Sequence, residues 1–338
     1  MKHVLLLSLL LVVGCATQDT DARHSNSVEE QGDRRIGEYI SSQWSFHTAS
    51  YWIEGPDGLI LIDAQFLPTH VLKILNRAQR VTGKKVKLAI VLGSSPDRFN
   101  GTEHLQSLGI PVVTSEQIRA LIPAVHQKWA PVFFEKYSAG RYPRDLLRIP
   151  DAFGNSTQEL SAAGITVKAH VLGAGASGAH VVVEWEKHLF VGDLVTNGAH
   201  GWFEGGRSDE WLERLDELRA LNPKWIHPGY GMTGGLELLD HETEYVNTVV
   251  SAVAAEKPRG RAPADALARI TDTVTHRYPA HINGQFLNMF LTAEWARQAA
   301  EAARQAQNAD APAAILPADG ANPTVPSPAA VSRPDESR

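Results

Sequence analysis

Apolar positions along the chain change their period several times, and each change marks an element. Residues 49–54 and 58–63 flank Gly55-Pro56-Asp57, which predicts a hairpin with those three residues as its turn. Residues 67–82 carry Val71, Ile74, Leu75 and Ala78 at helical spacing and stop at Gly83, the residue type that closes helices. Residues 86–92 form a short apolar run suited to a strand buried on both faces. A helical turn over 104–108, a strand over 110–114 and a helix over 115–125 follow. The second half repeats the scheme, with strands at 165–172, 181–185 and 189–191 and helices at 208–221, 237–255 and 285–303. Such alternation implies helices packed on sheet faces, a layered α/β fold.

The two ends break this pattern. Lys2 precedes an apolar run from Val4 to Val13, then Gly14 and Cys15. About ten apolar residues are too few to span a bilayer, where about 20 are needed, but suit a signal-peptide core. Val12-Val13-Gly14-Cys15 resembles the lipobox of bacterial lipoproteins, which implies removal of residues 1–14 and lipidation of Cys15. By the same resemblance, Ala16 in place of an aspartate points to the outer membrane, facing the periplasm. Residues 15–35 then read as a tether, with Val28 its one strongly apolar side chain between 16 and 34. Residues 306–338 are rich in Ala and Pro and read as a disordered tail. The expected folded domain is 36–305.

Composition narrows the chemistry. The 338 residues are 43% hydrophobic, enough for a buried core, and contain one cysteine and 14 histidines. One cysteine excludes an internal disulfide or a cysteine zinc cage, so a metal site would need histidine and carboxylate. A formal charge of −6 argues against nucleic acid as a partner. Gly173-Ala174-Gly175-Ala176-Ser177-Gly178 fits the G-x-G-x-x-G spacing after a strand. The nucleotide-binding reading requires a helix to begin there, yet Val181-Val182-Val183 is β-branched, so a tight loop between strands is expected.

The order of five short landmarks is more informative. Leu61-Ile62-Asp63-Ala64 ends one strand, and Gly93-Ser94-Ser95-Pro96-Asp97-Arg98-Phe99-Asn100-Gly101 follows another. Then come the glycine loop at 173–178, Phe190-Val191-Gly192-Asp193-Leu194, and the loop His227-Pro228-Gly229-Tyr230-Gly231. The series resembles the metallo-β-lactamase superfamily over about residues 40–255. The resemblance implies an αββα sandwich built of two similar halves, in one domain. It extends to Gly198-Ala199-His200-Gly201-Trp202 and Ser208-Asp209-Glu210-Trp211.

In that superfamily the landmark loops hold one or two zinc ions, which activate a water. The resemblance places the H-x-H-x-D-H positions on Gly93, Ser95, Asp97 and Arg98, the G-H-T histidine on Ala176 and the P-G-H-G histidine on Tyr230. Asp97 and Asp193 keep a metal-binding side chain; the other five positions do not. No metal and no cofactor is therefore expected. Without metal, Asp97 and Asp193 would be neighbouring carboxylates in a dehydrated cleft, and Arg98 brings a planar cationic fork suited to them. The expectation is a salt bridge from Arg98 to Asp193, Asp97 or both.

His47, His180, His200 and His227 lie near the landmark loops and are the candidates for a displaced zinc site, with His200 at the cleft mouth. Ser94, Ser95 and Ser177 lie in the presumed cleft, with His180 close to Ser177, but no G-x-S-x-G elbow surrounds them. Trp202, Phe203, Trp211 and Tyr230 are candidate cleft aromatics, Trp211 being better suited to the core. The functional expectation is a lipid-anchored envelope pseudoenzyme that binds a small ligand or an envelope protein. The alternatives are a hydrolase of a thioester, lactone or β-lactam-like substrate with a displaced metal, and an envelope-assembly component recruited through its C-terminal tail.

Overall fold

The computed structural model describes residues 33–137, 141–145, 148–205 and 207–310. Cys15, the signal segment and residues 311–338 lie outside the described residues.

Eleven described strands form two sheets. The first is six-stranded in the order β1 (Ile36–Ile40), β2 (Ala49–Gly55), β3 (Gly58–Ile62), β4 (Val86–Ile90), β5 (Val112–Thr114) and β6 (Asp151–Ala152). Its first two pairings are antiparallel, and β3 to β6 run parallel. Parallel neighbours need crossovers. These are α1 (Pro68–Thr82) between β3 and β4, and the short α2 (Pro96–Phe99) and α3 (Thr102–Ser107) between β4 and β5. α4 (Glu116–Val132) follows β5. The second sheet is five-stranded, ordered β11 (Trp225–Tyr230), β10 (His188–Thr196), β9 (His180–Trp185), β8 (Ile165–Leu172) and β7 (Gln158–Ala162). α5 (Ser208–Ala220), α6 (Glu237–Ala255), α7 (Ala264–Arg277) and α8 (Gly284–Asp310) complete the chain.

Side-chain alternation along β9 shows how the layers join. Val181, Val183 and Trp185 belong to the core shared with β2, β3, β4, α1 and α4, while Val182 packs with α5 to α8. Both faces are buried along Val181-Val182-Val183, so that stretch reads as an unbroken apolar run. The result is the expected αββα sandwich. Residues 173–178 form a loop joining antiparallel β8 and β9 with no helix at their end, so the nucleotide-binding spacing is coincidental.

Several boundaries differ from expectation. The 227–231 landmark, read as a loop, lies mostly in β11, where Pro228 is tolerated because β11 is an edge strand. α4 continues through two prolines to Val132, and the last helix runs past residue 303 to Asp310, into the segment assigned to the tail. Strands β1, β6 and β7 and helices α2 and α7 are additional to the elements predicted.

Candidate functional site

Local backbone geometry delivers the landmark side chains to one point between the sheets. Asp63, directly after β3, has φ 64°, a left-handed conformation that aspartate tolerates, and its carboxylate is buried. Ser95-Pro96 starts the short α2, with Pro96 in the first turn where its missing N–H is harmless, and α2 carries Asp97 and Arg98. Gly192, at φ 55°, sits at a register break in β10 just before Asp193. Tyr230 closes β11.

Arg98 stands at the centre and is fully buried. Its Nε donates to Asp193 at 2.9 Å and its Nη2 lies 2.8 Å from the same carboxylate, a two-point pairing. Nη1 donates to Asp63 at 3.1 Å and to the Ala49 carbonyl at 3.3 Å, and Nη2 donates to the Gly229 carbonyl at 3.1 Å. Asp97 lies 3.5 Å from Nη2, and the Tyr230 ring packs 4.9 Å from the guanidinium carbon. The expected salt bridge is therefore present, with Asp63 as a further partner that the ligand pattern did not reveal. Around this core, Ser95 donates to Asp193 at 2.5 Å and Tyr230 donates to Asp97 at 2.6 Å. The Thr48 hydroxyl lies 2.8 Å from Asp97 and 2.9 Å from the Ser45 carbonyl, one proton between two acceptors. The other Asp97 oxygen, Oδ1, is buried with no hydrogen-bond partner among the described residues.

Electrostatics follow from one cation among three buried carboxylates. Burial raises the Asp63 pKa to about 7 despite the opposing pull of Arg98, and burial also raises Asp193. Burial alone would lower the Arg98 pKa, but Asp193 and Asp97 drive it well above its ordinary value, so the guanidinium is a fixed cation. Burial, then the charge of Asp97, raises the Tyr230 hydroxyl, which is a donor here.

The seven ligand-pattern positions do converge, but as a filled interior. Gly93, Ser95, Asp97, Arg98, Ala176, Asp193 and Tyr230 are all buried. A Cβ on Gly93 would lie 3.3 Å from the Asp193 carboxylate, and one on Gly229 would lie 2.4 Å from Arg98 Nη2. Gly229 is therefore required by the close approach of the arginine. Zinc, the superfamily's metal, does not fit this donor set. A guanidinium already occupies the space between the carboxylates that would bind it, and among the described residues no three His, Cys, Asp or Glu side chains are arranged to hold a metal.

The four candidate histidines do not meet. His180 Nε2 accepts the Ser177 backbone N–H at 3.1 Å, and burial, then Arg214 and Arg98, lower its pKa to about 3. The Ser177 hydroxyl faces the Ala179 carbonyl, so this serine and histidine are not a nucleophile and base. His200, expected at a cleft mouth, is instead buried against the Tyr245 hydroxyl at 2.7 Å, and burial lowers its pKa to about 4. His227 sits between His188 at 3.0 Å and Thr233 at 2.8 Å, and burial holds its pKa well below the ordinary value.

His47 alone of the four reaches an open surface. It lines a cleft of about 710 Å³ together with Phe46, Trp129, Phe133, Trp202 and Phe286. Tyr230 connects this cleft to the buried cluster, since its hydroxyl bonds Asp97 and its ring contacts Phe286 at 5.9 Å. Of the candidate aromatics, Trp202 lines the cleft. Phe203 and Trp211 are stacked in the core, with the Trp211 indole donating to the Leu194 carbonyl. Glu204, which no sequence pattern singles out, organises one wall. Its carboxylate accepts from the indoles of Trp129 at 2.9 Å and Trp202 at 3.3 Å, fixing the rings edge-to-face 5.1 Å apart. Among the described residues the cleft wall carries no Asp, Glu, Lys or Arg.

A sandwich of two sheets with its landmark loops gathered at one point is the arrangement of a metallo-hydrolase scaffold. A sequence model described as the metallo-beta-lactamase superfamily matches residues 45–230, and the chain belongs to that superfamily. Solved structures similar to it include a metallo-beta-lactamase from Pontibacter korlensis, 20% identical, covering 64% of this chain and 96% of that one with a TM-score of 0.50. The DIM-1 metallo-beta-lactamase is 16% identical, with coverage of 64% and 94% and a TM-score of 0.49.

Proposed function

We propose that this protein is a non-catalytic binding member of the metallo-β-lactamase superfamily, lipid-anchored through Cys15 in the bacterial envelope. The observation that carries the reading is Arg98, buried among Asp63, Asp97 and Asp193 where the superfamily's metal chemistry would take place. An ion-paired arginine stabilises the interior but activates no water. Binding then falls to the aromatic cleft above it, whose wall, with no Asp, Glu, Lys or Arg among the described residues, suits a neutral, apolar ligand. The Glu204 clamp holds two indoles in place before any ligand arrives, which reduces the entropy lost on binding. No helix of the described residues is long and apolar enough to cross a membrane. Attachment is assigned to the two or more acyl chains that lipoprotein processing would place on Cys15.

Two measurements test this. Metal analysis after purification in zinc-supplemented buffer is expected to give far less than one zinc per chain, and stoichiometric zinc would restore the hydrolase reading. Nile red, a neutral apolar dye, is expected to bind at a single saturable site and to lose at least tenfold in affinity in Trp202→Ala. An unchanged affinity in a folded variant removes the cleft from the proposal.

A further inference from the structure

The C-terminal tail has no part in the function above, and its sequence matches the cleft. Residues 320–332 (GANPTVPSPAAVS) contain no charged side chain, as the described cleft wall contains none. Pro323-Thr324-Val325-Pro326 has P-x-x-P spacing, followed by Pro328. Proline fixes φ near −65°, so such a stretch loses little freedom on binding, and aromatic-lined grooves are the surfaces that take it. Three tryptophans, Trp44, Trp129 and Trp202, line this cleft. Of the exposed large apolar residues, Trp44, Val132 and Ile282 also lie along it, so its apolar character continues to its outer surface.

Reach agrees with composition. α8 begins at Gly284, beside cleft residues Asn283 and Gln285, and ends 27 residues on at Asp310. At 1.5 Å per residue the helix carries the chain about 40 Å away. An extended return at about 3.1 Å per residue covers that distance in about 13 residues, which brings the chain to Pro323.

We propose that residues 323–328 of this chain dock in its own aromatic cleft as a displaceable, internal competitor of the external ligand. The inference rests on the reading of the cleft as a binding site. Tethering supplies an effective concentration in the millimolar range, so a weak contact suffices to keep the segment in place.

The test uses the complete mature chain prepared without lipid, beside its P323S/P326S/P328S variant, whose changes lie outside the described residues. Nile red is titrated into each, and quenching of tryptophan fluorescence by acrylamide is measured at several protein concentrations. Docking predicts at least tenfold tighter dye binding and stronger quenching in the variant, independent of concentration. A synthetic peptide of residues 319–332 should reverse both effects. Equal dye affinity in the two chains overturns the tail proposal and leaves the cleft reading intact, whereas saturable dye binding in neither removes the cleft reading as well. A tail effect that grows with protein concentration assigns the segment to a second copy, against the intramolecular claim. Peptide binding that survives Trp202→Ala places it elsewhere and also overturns the proposal.

Discussion

Arg98→Ala is expected to lower the free energy of unfolding by about 3–5 kcal/mol at pH 7.5, the range for deleting one partner of a buried ion pair. The size follows from what the substitution strands. Asp193 loses donors at 2.9 and 2.8 Å, Asp63 loses one at 3.1 Å, and the Ala49 and Gly229 carbonyls lose theirs. Each buried acceptor without a donor costs about 1–3 kcal/mol unless water enters the space. Protonation is the cheapest relief for the carboxylates, so the loss should be smaller at pH 5 than at pH 7.5. Arg98→Lys should fall between, because one ammonium cannot serve Nε and both Nη positions at once. Adding Asp63→Asn and Asp193→Asn to Arg98→Met should recover part of the loss, since the ionic demand is then removed on both sides. Urea unfolding followed by circular dichroism at both pH values reads these differences as shifts in midpoint at constant slope. A loss below about 1 kcal/mol, or one that does not change with pH, would refute the view that Arg98 neutralises these carboxylates.

Gly229→Ala should destabilise by about 1–3 kcal/mol or more, because the new Cβ would lie 2.4 Å from Arg98 and 2.5 Å from the Gly192 carbonyl. A melting temperature equal to that of the parent chain would show that the arginine can move aside. Stability should also fall as pH rises from about 6.5 to 8. Asp63 and Glu38 titrate at about 7 and Glu242 at about 8, all raised first by burial. The folded state therefore holds protons that the unfolded chain has released, and ionising these groups costs roughly 2–3 kcal/mol in total across that window. His180 and His200, with folded values of about 3 and about 4, act in the opposite sense: the stability they add above pH 6.5 is lost as pH falls below it. Denaturant midpoints that rise between pH 6.5 and 8 would contradict the acid assignments.

The strand and helix scheme was legible because β9 and α1 carry unmixed periods, and the five landmarks were legible because loops at strand ends keep short, ordered signatures. α7 left a signal that was open to reading, with Ala266, Ile270 and Val274 four residues apart. β1 did not, since IGEYI mixes polar and apolar types and Glu38 is buried in it. β11 was concealed by Pro228 and Gly229, which mark a turn in sequence and an edge strand in space. The Arg98 pairing with Asp193 could be foreseen because a substituted ligand position names its own neighbours. The pairing of Asp63 with Arg98 could not, since its landmark marks a strand end and is not one of the ligand positions, and nothing local distinguishes Glu204 from other loop acids.

Sequence by itself determined the layered fold, the superfamily and the loss of five metal-ligand side chains, because these depend on residue type, period and order along the chain. Tertiary structure decided that the vacated centre is filled, that His180, His200 and His227 go to separate partners while His47 lines the cleft, and that an aromatic cleft stands above an arginine among three aspartates. Each of those outcomes depends on distances between residues far apart in the chain, as between Arg98 and Asp193 or between Trp129 and Glu204. Burial then sets their energies, because the same charges in water would be screened and interact weakly.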